Sequence, residues 1–286
     1  MGEPAGTFVD LTFVLHPPEM PAIDLSRLKT QAARLSERFA DPDAFVQELQ
    51  ALLDFYTNLT IRTAQTTRRL SLPTYRTPKP VLRQIELELE TLAEAHPTEA
   101  IALTDALWNT KSLETHLLAA SLLGMIPPAQ AMPGLTRLPS WLSQSTDEIV
   151  RKALLNEALE RLRRENPEAL FLLLEDWLKS PHSMLQIWGL RALIPLLNQP
   201  DFENLPAVFR IVRPTIERAS PSTQLELQEC LEALARVSLT ETLFFLRELL
   251  RSGRSHPTQL RTLRRMLPAL SPALQSGLRE ALRETD

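Results

Sequence analysis

Six arginines are concentrated near the C-terminal end of the chain, and their chemistry is that of phosphate binding. Between residues 247 and 265 the only acid is Glu248, and the arginines are Arg247, Arg251, Arg254, Arg261, Arg264 and Arg265. Arg261 lies three residues before Arg264 and four before Arg265, so on a helix the three side chains share one face. Such a face can neutralise the phosphates of a nucleic acid, with an affinity that falls steeply as salt rises. The alternatives are a solvated surface or ion pairs with acids of a neighbouring helix.

An aromatic ring and a cation occur at helical spacing in the segment IWGLRAL. Trp188 and Arg191 are three residues apart, which places them on the same face of a helix. An aromatic ring beside a cation can bind both the bases and the backbone of a nucleic acid. For the pair alone, the sequence favours the alternative that Trp188 belongs to the core and Arg191 forms an ion pair. Gly189, between them, costs about 1 kcal/mol relative to Ala in a helix, which suggests close approach by another backbone or a ligand.

The scarcity of glycine excludes several enzyme classes. The seven glycines stand at 2, 6, 124, 134, 189, 253 and 277, and no phosphate-binding loop or hydrolase nucleophile motif can be drawn from them. The five histidines are scattered, so we expect no metal site, no cofactor and no nucleotide. The single cysteine, Cys230, cannot form an internal disulfide and is expected to be a buried structural residue. The acidic run IELELE at 85–90 is interpreted as a solvated helix face.

The charge of the chain is uneven. The net charge is −4 overall, −6 over residues 1–150 and +2 over residues 151–286. An acidic balance argues mildly against nucleic acid as a partner. No apolar stretch reaches the roughly 20 residues that cross a bilayer, and no signal-peptide pattern is present, so no membrane association is expected and the cytoplasm is the expected location.

Proline placement predicts where helices begin. Proline is tolerated at the first helical position, and it follows a residue that can cap a helix in Asp41-Pro42, Asn166-Pro167 and Ser180-Pro181. Apolar residues at helical spacing follow nearly every such pair. We predict about a dozen helices with short loops, among them helices over 42–70, 135–144 and 147–165.

Helix lengths and loop spacing predict an all-α fold, an α-solenoid of HEAT- or armadillo-like repeats. Residues 24–286 are predicted to form this single domain. Residues 1–23 are predicted to be an N-terminal arm, either flexible or docking a partner, and residues 7–15 in it are the only plausible strand. A solenoid offers an extended surface, so the fold favours binding of a long partner.

Three segments carry a pattern that points to a family. They are LPTYRTPKPVLRQI (72–85), a helix pair at 106–126, and a helix order at 142–193 that ends in W-x-x-R. Over about 70–255 the chain resembles the DNA alkylation repair family, the HEAT-like-repeat alkylpurine DNA glycosylases. The resemblance implies a curved solenoid that grips duplex DNA on its concave face. It also implies a pocket of one catalytic aspartate and two tryptophans, whose carboxylate stabilises positive charge on the sugar of a cationic alkylpurine nucleotide.

Compared residue by residue, this chain matches the family pattern only in part. Arg191 occupies the position of an arginine that contacts the DNA backbone in the family, and Trp188 precedes it as in relatives. The catalytic region of the family falls on residues 145–151, where both family tryptophans are missing and the aspartate position holds an apolar residue. Asp147 and Glu148 lie within one turn of that position and are the candidate catalytic carboxylates if the register differs.

The second pocket tryptophan of the family falls near residues 231–234, which hold no aromatic residue. With these features missing, the sequence predicts a binding module for duplex DNA that lacks ordinary glycosylase chemistry. One alternative is an active alkylpurine glycosylase that uses Asp147 or Glu148, and another is a protein-interaction scaffold with a protein partner. The predicted DNA-binding residues are Trp188, Arg191, Arg247, Arg251, Arg254, Arg261, Arg264 and Arg265.

Overall fold

The described part of the chain consists of α-helices joined by short loops. The computed structural model describes residues 23–60, 72–252 and 257–284, and it contains no β-strand in these ranges. The helices of the N-terminal half are α1 (Leu25–Ser36), α2 (Pro42–Thr60), α3 (Lys79–Ala95), α4 (Pro97–Asn109), α5 (Leu113–Met125), α6 (Pro128–Leu135), α7 (Leu138–Gln144) and α8 (Glu148–Asn156). Those of the C-terminal half are α9 (Glu160–Glu165), α10 (Pro167–Lys179), α11 (Ser183–Leu197), α12 (Leu205–Glu217), α13 (Gln224–Val237), α14 (Leu239–Arg251), α15 (Pro257–Met266) and α16 (Pro272–Arg283).

The helices stack in two layers, and contacts along each layer follow the order of the chain. In the first layer the consecutive neighbours are α1, α3, α5, α8, α11, α13 and α15. In the second layer they are α2, α4 and α6, then α10, α12, α14 and α16, with α9 in contact with both α6 and α10. Helices adjacent in sequence, such as α4 and α5 or α13 and α14, pack across the two layers. This arrangement confirms the predicted all-α solenoid.

Several predictions lie wholly or partly outside the described residues. They are most of the N-terminal arm at 1–23 with its strand at 7–15, the part of the predicted helix 42–70 after residue 60, and Arg254 in the gap between residues 252 and 257. Within the described ranges, none of the helices combines the length and the apolar character that crossing a membrane requires.

Side-chain capping explains why several helices start where the sequence predicts. The backbone amide of Ala44 donates to Asp41 Oδ1 at 3.2 Å, and that of Ala169 donates to Asn166 Oδ1 at 3.1 Å. The predicted start at Pro181 is wrong, because α11 begins at Ser183 and the Ser180 hydroxyl accepts instead from the amide of His182. The dipeptide therefore forms a turn before the helix.

The helix predicted over 135–144 is wrong in its extent. Two helices occupy this region, since α6 starts at Pro128 and α7 runs from Leu138 to Gln144. Pro128 stands at the first position of α6, and Pro133 lies inside that helix. The two prolines interrupt the apolar pattern, so the sequence does not predict α6. A proline in the first turn is nevertheless tolerated in a helix, because the amide hydrogen that it lacks would have no partner there.

The single helix predicted over 147–165 is also wrong, because a turn at residues 157–159 separates α8 from α9. The carbonyl oxygens of Leu155 and Asn156 at the end of α8 accept from Arg163 Nη2, at 3.1 Å and 3.3 Å. Arg163 thus satisfies carbonyls that would otherwise need the next helical turn. Burial lowers the pKa of this guanidinium.

A buried carboxylate fixes the loop before α3 to the first turn of α5. Glu114 is 3% exposed and accepts from Thr74 Oγ1 at 2.7 Å and from the Tyr75 amide at 3.1 Å. Burying a carboxylate is unfavourable unless such donors surround it. The segment 72–85 is therefore held in place by a contact about 40 residues away along the chain.

Candidate functional site

Arg191 on α11 joins three consecutive helices of the first layer. Its Nη1 donates to Glu148 Oε1 on α8 at 3.1 Å, and its Nη2 donates to Glu226 Oε1 on α13 at 2.9 Å. Arg151 approaches the other oxygen of Glu148 at a longer distance of 3.4 Å. Two carboxylates on opposite sides of one planar guanidinium use its rigid fork of donors. We call Glu148, Arg191 and Glu226 the arginine bridge.

The two halves of the arginine bridge differ in burial. The Glu226 side chain is 8% exposed, whereas that of Arg191 is 30% exposed and that of Glu148 is 44% exposed. An exposed ion pair contributes only about 0–1 kcal/mol, but a buried carboxylate that loses its partner costs considerably more. The Arg191–Glu226 contact therefore dominates the bridge energetically.

Trp188 does not join Arg191 on the surface. The indole is 3% exposed and belongs to the hydrophobic core. Arg191 forms the ion pairs that the alternative interpretation of this segment expected. Gly189 is also explained by packing, since an added Cβ would lie 3.0 Å from side-chain atoms of Leu178 on α10. The close neighbour is thus a side chain of the core.

The two candidate carboxylates have different environments. Asp147 precedes α8 and is 8% exposed, and its backbone carbonyl accepts from the amide of Arg151 at 3.1 Å. Glu148 is the first residue of α8 and points toward Arg191 and Arg151. Of the two, only Glu148 belongs to the arginine bridge.

Aromatic side chains do approach this region from helices that the sequence analysis did not single out. Trp108 and Trp141 stack at 4.4 Å between ring centroids, and His116 stacks on the other side of Trp108 at 3.9 Å. All three are almost completely buried, and the Ser145 amide donates to the Trp141 carbonyl. Burial lowers the pKa of His116, while its hydrogen bond to the Trp108 carbonyl opposes that shift. The stack therefore offers no exposed ring surface to a ligand.

The predicted cationic band is divided between the two layers. On α14, Arg247 Nη2 donates to Glu280 Oε2 at 2.6 Å and Arg251 Nη2 donates to Glu284 Oε2 at 2.7 Å. Both acids lie on or next to the last helix of the second layer. These two arginines therefore follow the ion-pair alternative for the band.

Three further arginines of the band lie on α15 in the first layer. Arg261, Arg264 and Arg265 are all exposed on this helix, on the side opposite its buried Leu263 and Met266. Within the described ranges, the side chains of Arg261 and Arg265 form no ion pair or hydrogen bond. Two cationic side chains four residues apart are thus available on one helix face.

The same layer carries an acidic cleft nearer the N-terminus. The cleft has a volume of about 660 Å³ and lies between α3, α5 and the α8–α9 segment. Its charged lining residues are Glu86, Glu90, Glu94, Glu157, Glu160, Glu165, Arg83, Arg161 and Arg164. The run at 85–90 thus forms part of a cleft wall. In the sequence, the spacing of four residues between Glu86, Glu90 and Glu94 on α3 is the indication that these carboxylates share one helix face.

Arginine ion pairs only partly neutralise the acidic cleft. Arg161 donates to the Met125 carbonyl at the end of α5, to Glu94 and to Glu165. Glu157 is an exposed residue, yet partial desolvation of its carboxyl raises its pKa. The Ser121 hydroxyl opposes this shift, and the nearby Glu86 adds to it. The first layer therefore changes from acidic near α3 to cationic at α15.

The comparison with protein families identifies the fold. A family model described as DNA alkylation repair enzyme matches residues 61–265, which is most of the chain. The chain belongs to the DNA alkylation repair enzyme family. Its role is accordingly related to DNA repair, and the resemblance in segments 72–85, 106–126 and 142–193 is confirmed.

One solved structure shows a weak similarity to the chain. The chain is similar to the crystal structure of an engineered protein from the Northeast Structural Genomics Consortium, with 17% sequence identity and a TM-score of 0.39. That match covers 89% of this chain and 96% of the engineered chain. No curated protein matches the chain.

In this DNA alkylation repair family member, apolar side chains occupy the pocket positions that the resemblance assigns. Leu231 and Leu234 are buried at 1% and 0% exposure, and Val150 is also fully buried. Residues 145–151 contain no aromatic side chain. The carboxylate nearest to the surface in this segment is Glu148, which Arg191 and Arg151 contact.

Proposed function

We propose that this member of the DNA alkylation repair family binds duplex DNA through the cationic face of α15 and does not excise bases by the usual glycosylase chemistry. The observation that carries the proposal is the exposed pair Arg261 and Arg265, which has no ion-pair partner within the described ranges. Each phosphate that a free arginine neutralises releases counterions, and this release drives binding. The family match extends to residue 265 and includes this helix.

The arginine bridge gives Arg191 a secondary part in the proposed interface. Its guanidinium already donates to Glu148 and Glu226, so a phosphate must compete with two carboxylates. Glu226 is nearly buried and stays close to any ligand of Arg191, where it repels an anion. We therefore assign the main phosphate contacts to α15 and only a weak contact to Arg191.

Two features support the absence of ordinary excision. A carboxylate that stabilises a cationic sugar acts through its negative charge, and Arg191 and Arg151 neutralise the charge of Glu148. The positions assigned to the pocket tryptophans hold no aromatic ring, and Leu231 and Leu234 are in the core. A damaged base consequently finds neither stacking surfaces nor a free carboxylate in this segment.

An excision assay tests the enzymatic half of the proposal. A duplex that carries 3- or 7-alkylpurines is incubated with excess protein, and released base is separated and counted. We expect release at the rate of spontaneous depurination. Release above that rate that disappears in Asp147→Asn or Glu148→Gln would instead establish an active glycosylase. Leu87→Ala, an exposed substitution on α3, is the control for unspecific effects.

A binding assay tests the other half. Alkylated, abasic and undamaged duplexes are titrated by fluorescence anisotropy at low and at moderate salt. We expect binding to all three duplexes at low salt and a marked loss of affinity at moderate salt. The absence of binding at low salt would contradict the proposal.

The acidic cleft favours a second candidate function, a protein-interaction scaffold. Six glutamates and three arginines line the cleft, so its excess charge repels DNA and suits a basic protein surface. In that case the binding assay gives no signal with any duplex, and charge reversal of Glu90 in the cleft leaves this result unchanged. DNA binding that α15 substitutions weaken excludes the scaffold as the main function.

A further inference from the structure

A second surface of the molecule lies in the other layer, between α10 and α12. Here a groove of about 530 Å³ is lined by apolar groups of Phe171, Leu172, Pro206 and Ala207. Leu172 projects from α10 with 64% exposure, one of the largest values for an apolar side chain in the described ranges. Exposed apolar side chains next to an apolar groove are typical of the central part of a protein–protein interface.

Two opposite charges flank this groove. Glu168 lies in the first turn of α10, and Arg210 lies on α12, and both line the groove. Both are exposed, and neither forms an ion pair or hydrogen bond within the described ranges. Arg210 is near enough to Glu175 to lower the pKa of that carboxyl, whose hydrogen bond to Lys179 is the main cause of the shift. The groove therefore carries one unpaired acid and one unpaired base.

We propose that the α10–α12 groove is the self-association surface of the protein and that its occupant is a second copy of this chain. The surface is self-complementary, because it holds both a projecting apolar residue and an apolar groove, and both a free acid and a free base. A two-fold axis through the groove brings Glu168 of each copy over Arg210 of the other. It also places each Leu172 against the apolar wall of the opposite groove. This is the requirement for an isologous dimer.

The neighbouring helix extends the surface to the size that such a dimer needs. α14 packs next to α12 in the same layer and exposes Phe244 at 66%. Helices of 13 residues are about 20 Å long and pack at about 10 Å spacing, so three of them present a face on the order of 600 Å². That area is at the lower end of specific interfaces, which bury about 800 Å² per partner. The area permits a specific dimer without setting its affinity, and the proposed DNA-binding face on α15 stays in the other layer.

Sedimentation velocity of the full chain over a concentration series tests the proposal. We expect a monomer–dimer equilibrium in which Leu172→Asp raises the dissociation constant at least about tenfold. Leu87→Asp is the matched control, since Leu87 is also an exposed leucine in mid-helix but lies on α3. Circular dichroism and thermal unfolding show that each variant is folded. A monomer at every accessible concentration, or a dimer that Leu172→Asp leaves intact, would overturn the proposal.

Charge reversal makes the test specific to the two-fold arrangement. Glu168→Arg and Arg210→Glu each place like charges opposite one another across the axis, so each alone weakens the dimer. The double variant restores opposite charges in both contacts and is expected to recover most of the affinity. If the double variant is no better than the worse single variant, the pairing of Glu168 with Arg210 is wrong and the proposed arrangement fails.

Discussion

Arg191 on α11 forms an ion pair with Glu226 on α13, the next helix of the first layer. The distance from Arg191 Nη2 to Glu226 Oε1 is 2.9 Å, and Glu226 is the more buried partner. The two residues are 35 positions apart in the chain. One guanidinium thus links α8, α11 and α13, since Glu148 contacts its other side.

The arginine bridge is expected to stabilise the fold mainly through Glu226. Arg191→Ala leaves a nearly buried carboxylate without its partner and should lower the free energy of unfolding by about 1–3 kcal/mol. Urea unfolding of a double-mutant cycle should give a larger coupling energy for Arg191 with Glu226 than for Arg191 with the exposed Glu148. Equal coupling energies would contradict the burial-based order.

Gly124 is expected to tolerate no side chain. A Cβ at this position would lie 2.0 Å from the backbone carbonyl oxygen of Glu157, and backbone cannot move aside as a side chain can. Gly124→Ala should destabilise the protein by about 2–4 kcal/mol despite the better helix propensity of Ala.

Gly189→Ala is the matched control, because the nearest atoms to the added Cβ belong to side chains, those of Leu178 at 3.0 Å and Trp177 at 3.5 Å. Small movements of the Leu178 side chain and the gain in helix propensity of about 1 kcal/mol should keep the net change within about 1 kcal/mol. Thermal unfolding of both variants measures the difference. A Gly189→Ala effect as large as that of Gly124→Ala would show that the two contacts are equivalent.

Stability is expected to fall in mild acid because of His116. Burial lowers the pKa of this imidazole below its ordinary value of 6.5, so the folded state disfavours the proton. The unfolded state therefore binds more protons, and stability is lost as the pH falls from about 6.5 toward the lower folded pKa. Urea midpoints measured about one unit above and one unit below 6.5 should differ for the natural protein.

The control for this effect is His116→Gln, in which the side-chain amide still reaches the Trp108 carbonyl but does not titrate. Glu157 has a raised pKa and acts with the opposite sign, since its stabilising effect is present below 4.5 and is lost as the pH rises through the folded pKa. The comparison with the variant removes this contribution, which both proteins share. An equal pH dependence in the two proteins would rule out His116 as its source.

Cys230 is expected to be inert while the protein is folded. Burial raises the pKa of its thiol to about 12, so the thiolate is scarce at neutral pH, and the side chain is 1% exposed. Reaction of this thiol with an aromatic disulfide that releases a coloured thiolate should be slow in buffer and complete within the mixing time in denaturant. Fast labelling of the folded protein would place Cys230 on an accessible surface.

Most helices and their stacking can be predicted from the sequence, because most of them show a start signal and an apolar period of their own. The break between α8 and α9 is not visible in the sequence. It is accompanied by the side chain of Arg163, which donates to carbonyls seven and eight residues earlier, and by the close approach of Gly124 to the carbonyl of Glu157. α6 was missed because Pro128 and Pro133 interrupt the apolar pattern that identifies the other helices.

The candidate site was predictable in part. The segment around Arg191 was enough to predict that this residue forms an ion pair. Its partners Glu148 and Glu226 could not be predicted, because they lie on two helices that pack against α11. The arginines on α14 and α15 appear as one band in the sequence, and only packing reveals that Glu280 and Glu284 pair with two of these five arginines. The sequence thus shows where charged residues are concentrated along the chain, whereas the fold determines which of them form ion pairs.

The salt dependence of duplex binding tests the central proposal most directly. Affinity is measured over a series of salt concentrations for the natural protein, for Arg261→Ala/Arg265→Ala, and for Arg34→Ala, an exposed arginine on α1 as control. Each phosphate contact adds about 0.9 to the slope of log affinity against log salt, so the double variant should lose roughly 2 from the slope and the control should lose none. An unchanged slope in the double variant, or no binding by the natural protein at low salt, would contradict the account.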